Sequence, residues 1–300
     1  MPELPEVETV VRGLRLTLPG RRITSVRLGK TDFIDDPAAL ERELPGKKII
    51  GVERLGKFLL FGLESPNGVS KEFYLLVHLG MTGQLMTCAP EAPVAPHTHA
   101  FFSLDDGREL RYTDIRRFGR IAFLANGAHE AALSKLGLEP LEATAKQFAE
   151  LVCRRHAPIK SVLLNQNVLR GIGNIYADES LWRARIHPMR IAANLSAKEM
   201  VQLHRAVQVV LNEAIRLRGS SVSDYVDADG QRGEFQSRHR VYQREGKKCP
   251  RCGATIRRVI VGGRSSHFCP RCQRTPRSTK RNGILRSGAK RSQKSARVRP

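Results

Sequence analysis

The residues best placed to do chemistry come first in the chain, which opens Met1-Pro2-Glu3-Leu4-Pro5-Glu6. A small second residue favours trimming of the initiator Met, which would leave Pro2 with a free secondary amine on a fixed ring. An N-terminal amine titrates near pH 8, so a useful fraction is unprotonated and nucleophilic at neutral pH. A secondary amine can attack a sugar C1′ and collapse to an iminium ion, an electron sink for breaking neighbouring bonds. Glu3 stands beside it, available to move protons. The plainer reading is a helix start. Proline early in the first turn, with acids nearby, suits the orphan N–H groups and the dipole. Taken alone, the six residues favour the plainer reading.

Four of the six cysteines form two C-x-x-C pairs, Cys249/Cys252 and Cys269/Cys272, with sixteen residues between the pairs. That is zinc-ribbon spacing. Four thiolates around tetrahedral Zn²⁺ make a closed structural site with no open position, so the metal is expected to staple a hairpin rather than to catalyse. The segment Thr255–His267 is expected to form that hairpin, crossed at Gly262-Gly263 and carrying Arg257, Arg258 and Arg264. Cys88 and Cys153 are isolated and read as small hydrophobes.

A third pattern, Gly171-Ile172-Gly173-Asn174, lies between two helical stretches, with Asn174 as an apt N-cap. Glycines let backbone N–H groups approach a phosphate, and the following helix terminus adds positive potential. Arg154, Arg155 and Lys160 lie just upstream. A glycine turn between helices is equally an ordinary packing device.

Elements must position these groups, and 300 residues allow two ordinary cores. Hydrophobic content of 41% and charged content of 27% are those of a globular protein. No apolar run approaches the ~20 residues of a membrane span, and no signal-peptide pattern opens the chain. The net charge of +22 points to a polyanion, nucleic acid first. Residues 273–300 hold ten Lys/Arg and no acid; without them the rest still carries +12, so the body is basic in its own right.

Val7, Val10, Val11 and Leu14 form a helical stripe that ends at Pro19-Gly20. Residues 22–125 read as eight short strands separated by turn dipeptides, which implies a β-sandwich or barrel headed by one helix. Residues 128–218 read as helices: 130–136, 143–155, 159–165, 174–185 and 197–218. A long exposed loop is expected over 219–248, then the cysteine module, then a disordered basic arm. The fold class is therefore α+β. The expected divisions are 1–127 (helix and β-sandwich), 128–142 (linker), 143–238 (helical domain), 239–273 (zinc finger) and 274–300 (tail).

The opening MPELPEVETV, GKFLLF with Lys57, HLGMTG at 78–83, YTDIRRFG at 112–119, GIGNIYADE at 171–179 and the four-cysteine ribbon occur in one family's order. Over about residues 2–273 the chain resembles the formamidopyrimidine-DNA glycosylases, bacterial enzymes that excise 8-oxoguanine and ring-opened purines and then nick the strand. The resemblance implies Pro2 as the Schiff-base nucleophile, Glu3 as general acid and base, and Glu6 as a helper that fixes the Pro2 terminus. It implies Lys57 in β-elimination and Arg264 in gripping phosphates and δ-elimination, with one structural zinc.

A base within a duplex must be flipped out, and the hole must be plugged. Met81, Arg116 and Phe118 match the family's inserting wedge. His97, Arg155, Lys160, Asn174 and His78 match its backbone-binding positions. Core packing for Met81 and Phe118, and a surface lysine for Lys57, are the ordinary alternatives. The implied partner is damaged double-stranded DNA, bound by a cytoplasmic monomer with no membrane role.

Leu4 and the segment from Gly219 to Phe235, which in the family's purine-specific branch covers the everted base, favour oxidised purines. An endonuclease VIII-type enzyme for oxidised pyrimidines, which would open MPEGPE, and a non-catalytic binder of damaged DNA are the rival readings. A zinc-ribbon transcription or RNA-binding factor is a third. Ile115 departs from the family's usual proline, and the tail is additional to its pattern.

Overall fold

The computed structural model describes residues 2–65, 73–125, 128, 134–222 and 225–274. Helix α1 (Leu4–Thr17) starts where the sequence signals it, with Pro5 in the first turn and the Glu3 N–H donating to Glu6 Oε2 at 2.8 Å. Its Val7, Val10, Val11 and Leu14 are buried against the β-domain, at the spacing of one helical face. Leu4, at the helix start, is instead buried in a second core among the C-terminal helices, and its N–H donates to Gly171 O at 3.0 Å. The first turn of α1 therefore belongs to both halves of the molecule.

Eight strands follow: β1 (Ile23–Leu28), β2 (Lys48–Leu55), β3 (Phe58–Glu64), β4 (Phe73–His78), β5 (Gln84–Cys88), β6 (Thr98–Leu104), β7 (Glu109–Thr113) and β8 (Arg120–Ala125). They form two antiparallel four-stranded sheets, in the orders β1-β6-β7-β5 and β2-β3-β4-β8. Side chains alternate across each strand. Leu59, Phe61 and Leu63 of β3 enter the sandwich core with Phe102 and Tyr112 of the other sheet, whereas Leu60 joins Leu76 and Ala122 on the opposite face. A short helix, α2 (Pro37–Glu43), interrupts the stretch expected to be all β; Asp36 Oδ1 accepts the Ala39 N–H at 2.9 Å and Pro37 occupies the first turn. The Asp-Pro signal was legible, but seven residues are too few for a periodic stripe.

The C-terminal half contains α3 (Ala145–Val152), α4 (Ile159–Leu164), α5 (Asn174–Ala184) and α6 (Ala197–Arg216), packed around Phe148, Tyr176, Leu203 and Leu211. The helix expected over 130–136 falls largely outside the described residues, as does the tail from residue 275. One expectation is overturned. The described residues of 219–248 do not form a long exposed loop, because Ser220, Ser221, Tyr225, Asp227, Ala228, Phe235 and His239 are buried. Tyr225 donates to Glu6 O at 3.2 Å, Asp227 gathers the Asp229 and Gln231 N–H groups, and Phe235 joins the helical core. Polarity in this segment marks internal hydrogen bonding rather than solvation.

The hairpin of β9 (Arg257–Val261) and β10 (Arg264–Phe268) turns at Gly262-Gly263 as expected, both at positive φ.

Candidate active site

Glu3 is fully enclosed, and its carboxylate caps a helix far away in sequence. Oε1 accepts the Ile175 N–H at 3.0 Å and Oε2 the Tyr176 N–H at 3.4 Å, the orphan donors at the start of α5. The N-cap position of α5 is Gly173, not Asn174, and a Cβ there would stand 2.2 Å from Glu3 Cδ. The glycine turn thus makes room for a carboxylate of this chain. The phosphate expected over these amides would find the two innermost donors already taken. Burial raises the Glu3 pKa, against the lowering pull of Lys57 and of the two amides.

Glu6 lies one turn along. It accepts from the Tyr176 hydroxyl, from the Ser220 N–H at 2.7 Å and from the Glu3 N–H. Burial and the neighbouring Glu3 push its carboxyl up to about 7. Gly219, at φ +79, lets the 219–220 backbone close on it, since a Cβ would stand 2.7 Å from Glu6 Oε1. Two carboxylates, Tyr176, Ser220 and Tyr225 therefore clamp the start of α1 around buried Pro2. Met1 lies outside the described residues.

Lys57 occupies the β2–β3 turn and is buried. Gly56 sets it there: φ is +60, and a Cβ would lie 3.0 Å from Arg170 Cβ and 3.3 Å from Gly171 N. Burial lowers the Lys57 pKa, with Arg264 adding to the effect and Glu3 and Glu6 opposing it. Those mutual influences put Lys57, Glu3, Glu6 and Arg264 in one electrostatic neighbourhood. Arg264 itself is exposed at the start of β10. A further ion-pair chain ties the halves beneath: Arg54 contacts Glu8 at 2.8 Å and Glu139 at 2.9 Å, and Arg170 reaches Glu139 at 3.2 Å.

Met81, Arg116 and Phe118 come from two loops packed back to back. Gly80, at φ +58, sits where a Cβ would be 2.4 Å from Gly119 N. Asp114 is buried and stitches the loops together: it accepts from Thr82 Oγ1 at 2.5 Å, Tyr112 OH at 3.2 Å and Gly119 N at 2.9 Å. Arg116 N donates to Thr82 Oγ1 at 3.0 Å. Phe118 is 57% exposed, with the Arg116 guanidinium 4.6 Å from its ring centroid. An exposed aromatic under a cation is the opposite of core packing. Met81 is half-buried, and Ile115 is exposed.

His97 and Arg155 are exposed, and His97 O accepts the Asp114 N–H at 3.0 Å. His78 sits at the end of β4 against Phe58, 4.9 Å between ring centroids. Burial first, then Lys57 and Arg120, push its pKa down to about 4, so the ring is neutral and Nδ1 accepts the Gly80 N–H at 3.1 Å. Asn174 is half-buried beside the Tyr242 hydroxyl, with Oδ1 unpaired.

Lys160 is not on the surface. It is fully buried, with Nζ donating to Asp178 Oδ1 at 2.7 Å and Ser265 O at 2.6 Å. Asp178 Oδ2 also accepts the His267 N–H at 2.8 Å. Rather than meeting phosphate, Lys160 fastens β10, and so Arg264, to α5. A lysine in an apolar run reads as solvent-facing unless a distant carboxylate claims it, and nothing local discloses that partner.

The four cysteine sulfurs lie within 4.8 Å of one another, with Cys252 and Cys269 Sγ at 3.4 Å. Zn–S bonds of about 2.3 Å place tetrahedral ligands about 3.8 Å apart, so the cluster fits the ion. Among the described residues, the apolar side chains clustered with the sulfurs are Trp182, Val241 and Ile256 with partly buried Ala254, too small a core to hold the hairpin unaided.

Three family models match: the formamidopyrimidine-DNA glycosylase N-terminal domain over residues 1–121, the H2TH domain of the same glycosylases over 136–226, and the zinc finger found in FPG and IleRS over 246–275. The chain belongs to the formamidopyrimidine-DNA glycosylase family. The formamidopyrimidine-DNA glycosylase of Pelotomaculum thermopropionicum is 46% identical over 91% of this chain and 99% of its own length. That of Solibacter usitatus is 46% identical over 91% of this chain and 100% of its own. The structure of a Lactococcus lactis FPG mutant in complex with Fapy-dG-containing DNA superposes with a TM-score of 0.83, at 36% identity over 91% of this chain and 100% of that one. Wild-type Lactococcus lactis Fpg has also been solved with DNA containing an oxidised pyrimidine, again at 36% identity and 91% coverage of this chain, with a TM-score of 0.82 and the whole of that chain matched. As in the family, the α+β architecture combines a sandwich domain, an H2TH domain and a zinc finger, and the four cysteines hold one structural zinc.

Proposed function

We propose that this protein excises oxidised purines from duplex DNA and then cuts the strand as an abasic-site lyase. The Pro2 nitrogen attacks C1′ as the bond from C1′ to the base nitrogen breaks, and the proton the amine sheds neutralises the departing base. The sugar ring opens, and O4′ takes a proton from Glu3. The resulting iminium acidifies C2′. Loss of that proton expels the 3′ phosphate, and a second elimination expels the 5′ phosphate, leaving a one-nucleotide gap with phosphates at both ends. Lys57 serves the first elimination and Arg264 the second, where a cation beside the departing phosphate stabilises its charge.

The observation that carries this reading is the enclosure of Glu3 beside Pro2. Burial keeps its proton at a higher pH than an ordinary carboxyl, as a general acid requires. The α5 amides hold the group in one place. Lys57, with its pKa lowered by burial, supplies a base within the same neighbourhood. The exposed pair Arg116 and Phe118 suits a wedge that fills the vacated stack. Net charge supplies the attraction to DNA.

Borohydride trapping is the test. The mature protein is expected to form a covalent adduct with an 8-oxoguanine duplex, mapped by mass spectrometry to Pro2 with Met1 removed, and Pro2→Gly is expected to form far less. A full-speed enzyme that retains Met1 overturns the mechanism. Because Lactococcus lactis Fpg has been captured, as a mutant or as the wild type, with both lesion classes, 8-oxoguanine:C and thymine-glycol:A duplexes belong in the same assay. Faster excision of thymine glycol would reverse the substrate assignment.

A further inference from the structure

A cleft of about 490 Å³ opens between the zinc knuckles and the C-terminal end of α5, lined by Arg185, Arg190, Arg251, Arg271 and Arg274 together with Cys252 and Cys272. A neighbouring groove shares Arg185 and adds Arg183 and Arg205. Small-molecule pockets are predominantly apolar with a few polar groups; this lining is the reverse.

Arg190 is answered by Glu199 at 3.1 Å. Among the described residues no carboxylate lies within salt-bridge distance of the other six arginines. The negative end of α5 accounts for Arg183 and Arg185. It also takes Arg251, which donates to the last-turn carbonyls of Trp182 and Arg183, but it does not account for Arg205, Arg271 or Arg274. Arg251 is held in place, stacked 4.0 Å over Trp182 and donating to Trp182 O at 3.0 Å, and Arg271 reaches Cys252 O at 3.5 Å. Gathered with no carboxylate in salt-bridge distance of six of them among the described residues, these cations favour an anion in their midst.

The cleft is not part of the site around Glu3. That carboxylate binds the first turn of α5, and the arginines gather past its last residue, about 16 Å away along an 11-residue helix. From Arg274 the chain continues with nine more Lys/Arg and no acid. A polyanion longer than one phosphate is the ligand this continuity fits.

We propose that the arginine cleft binds the phosphodiester backbone of a second DNA segment, so that one protein molecule holds two duplexes. Each backbone phosphate replaces condensed counterions at a guanidinium, which makes the second contact strongly salt-dependent.

The test loads the full-length zinc protein onto bead-bound duplex containing a non-cleavable abasic analogue, then adds labelled undamaged duplex. Retention of the first duplex reports on the lesion site, and retention of the second on the cleft, so the two readings fail separately. Loaded wild-type protein is expected to retain the second duplex. The double variant Arg185→Gln, Arg271→Gln is expected to lose about 50-fold of that affinity at 0.1 M salt, with a salt slope shallower by about 2, from about −0.9 per phosphate contact. Excision on a short lesion duplex should stay within about twofold. Failure of the loaded wild type to retain a second duplex overturns the proposal. So does wild-type retention by the double variant, including the case where a chain ending at Arg274 loses retention instead, which would assign the effect to the tail.

Discussion

Gly173→Ala is the sharpest probe of how the site is built. The backbone there is extended, at φ −126 and ψ −160, so alanine introduces no torsional strain. Its Cβ would stand 2.2 Å from Glu3 Cδ and 2.4 Å from Oε1, against ordinary contact beyond 3.4 Å. Glu3 is the far end of a flexible side chain, so it yields before the backbone does, by about 1.2 Å. That stretches the 3.0 and 3.4 Å bonds to Ile175 and Tyr176 past useful length. Hydrogen bonds to a charged group contribute about 1.5–3 kcal/mol each. With the second bond already long, and about 0.4–1 kcal/mol regained from the stiffer unfolded chain, the net loss of stability is about 2 kcal/mol. The catalytic loss is larger in effect, since a displacement of this size costs about 100-fold in rate. Single-turnover excision on an 8-oxoguanine duplex, beside urea unfolding, measures both. Should Gly173→Ala react within threefold of wild type while Glu3→Gln is dead, the α5 amides do not position the acid.

Glu6 makes stability pH-dependent. Its carboxyl is raised from an ordinary 4.5 to about 7, so the folded state holds a proton the unfolded chain releases. The stabilisation is complete below pH 4.5 and disappears as pH rises through about 7, an effect on the order of 3 kcal/mol. Urea midpoints at pH 5 and 8.5 should converge in Glu6→Gln relative to wild type. Chelation of the zinc should unfold the β9–β10 hairpin, expose four titratable thiols and abolish the second elimination by withdrawing Arg264; zinc readdition should restore it. Asp114→Asn replaces an acceptor facing four donors, from Thr82, Tyr112, Arg116 and Gly119, with an amide, loosening both wedge loops. KM for the lesion duplex is expected to rise about tenfold with kcat within threefold, read by steady-state excision.

Local physics made much of this protein legible in one dimension. The stripe of Val7, Val10, Val11 and Leu14 fixes a helical face because 3.6 residues make a turn, whatever lies opposite. The eight sandwich strands follow from period-two alternation between turn residues, and four thiols at knuckle spacing imply their metal before any fold is known. The chemistry proposed for the Pro2 amine and the Glu3 carboxyl likewise starts from single residue types in the chain. What a residue touches across more than a hundred positions is not. Glu3 capping α5, Tyr225 closing over Glu6 and Lys160 meeting Ser265 O in the interior all depend on which distant surface arrives. The polar segment after Gly219 read as solvated because composition records a need for hydrogen bonds, not where they are met. Only the packed structure names those partners, since burial and its pKa consequences arise from the summed neighbours of a site and not from sequence order.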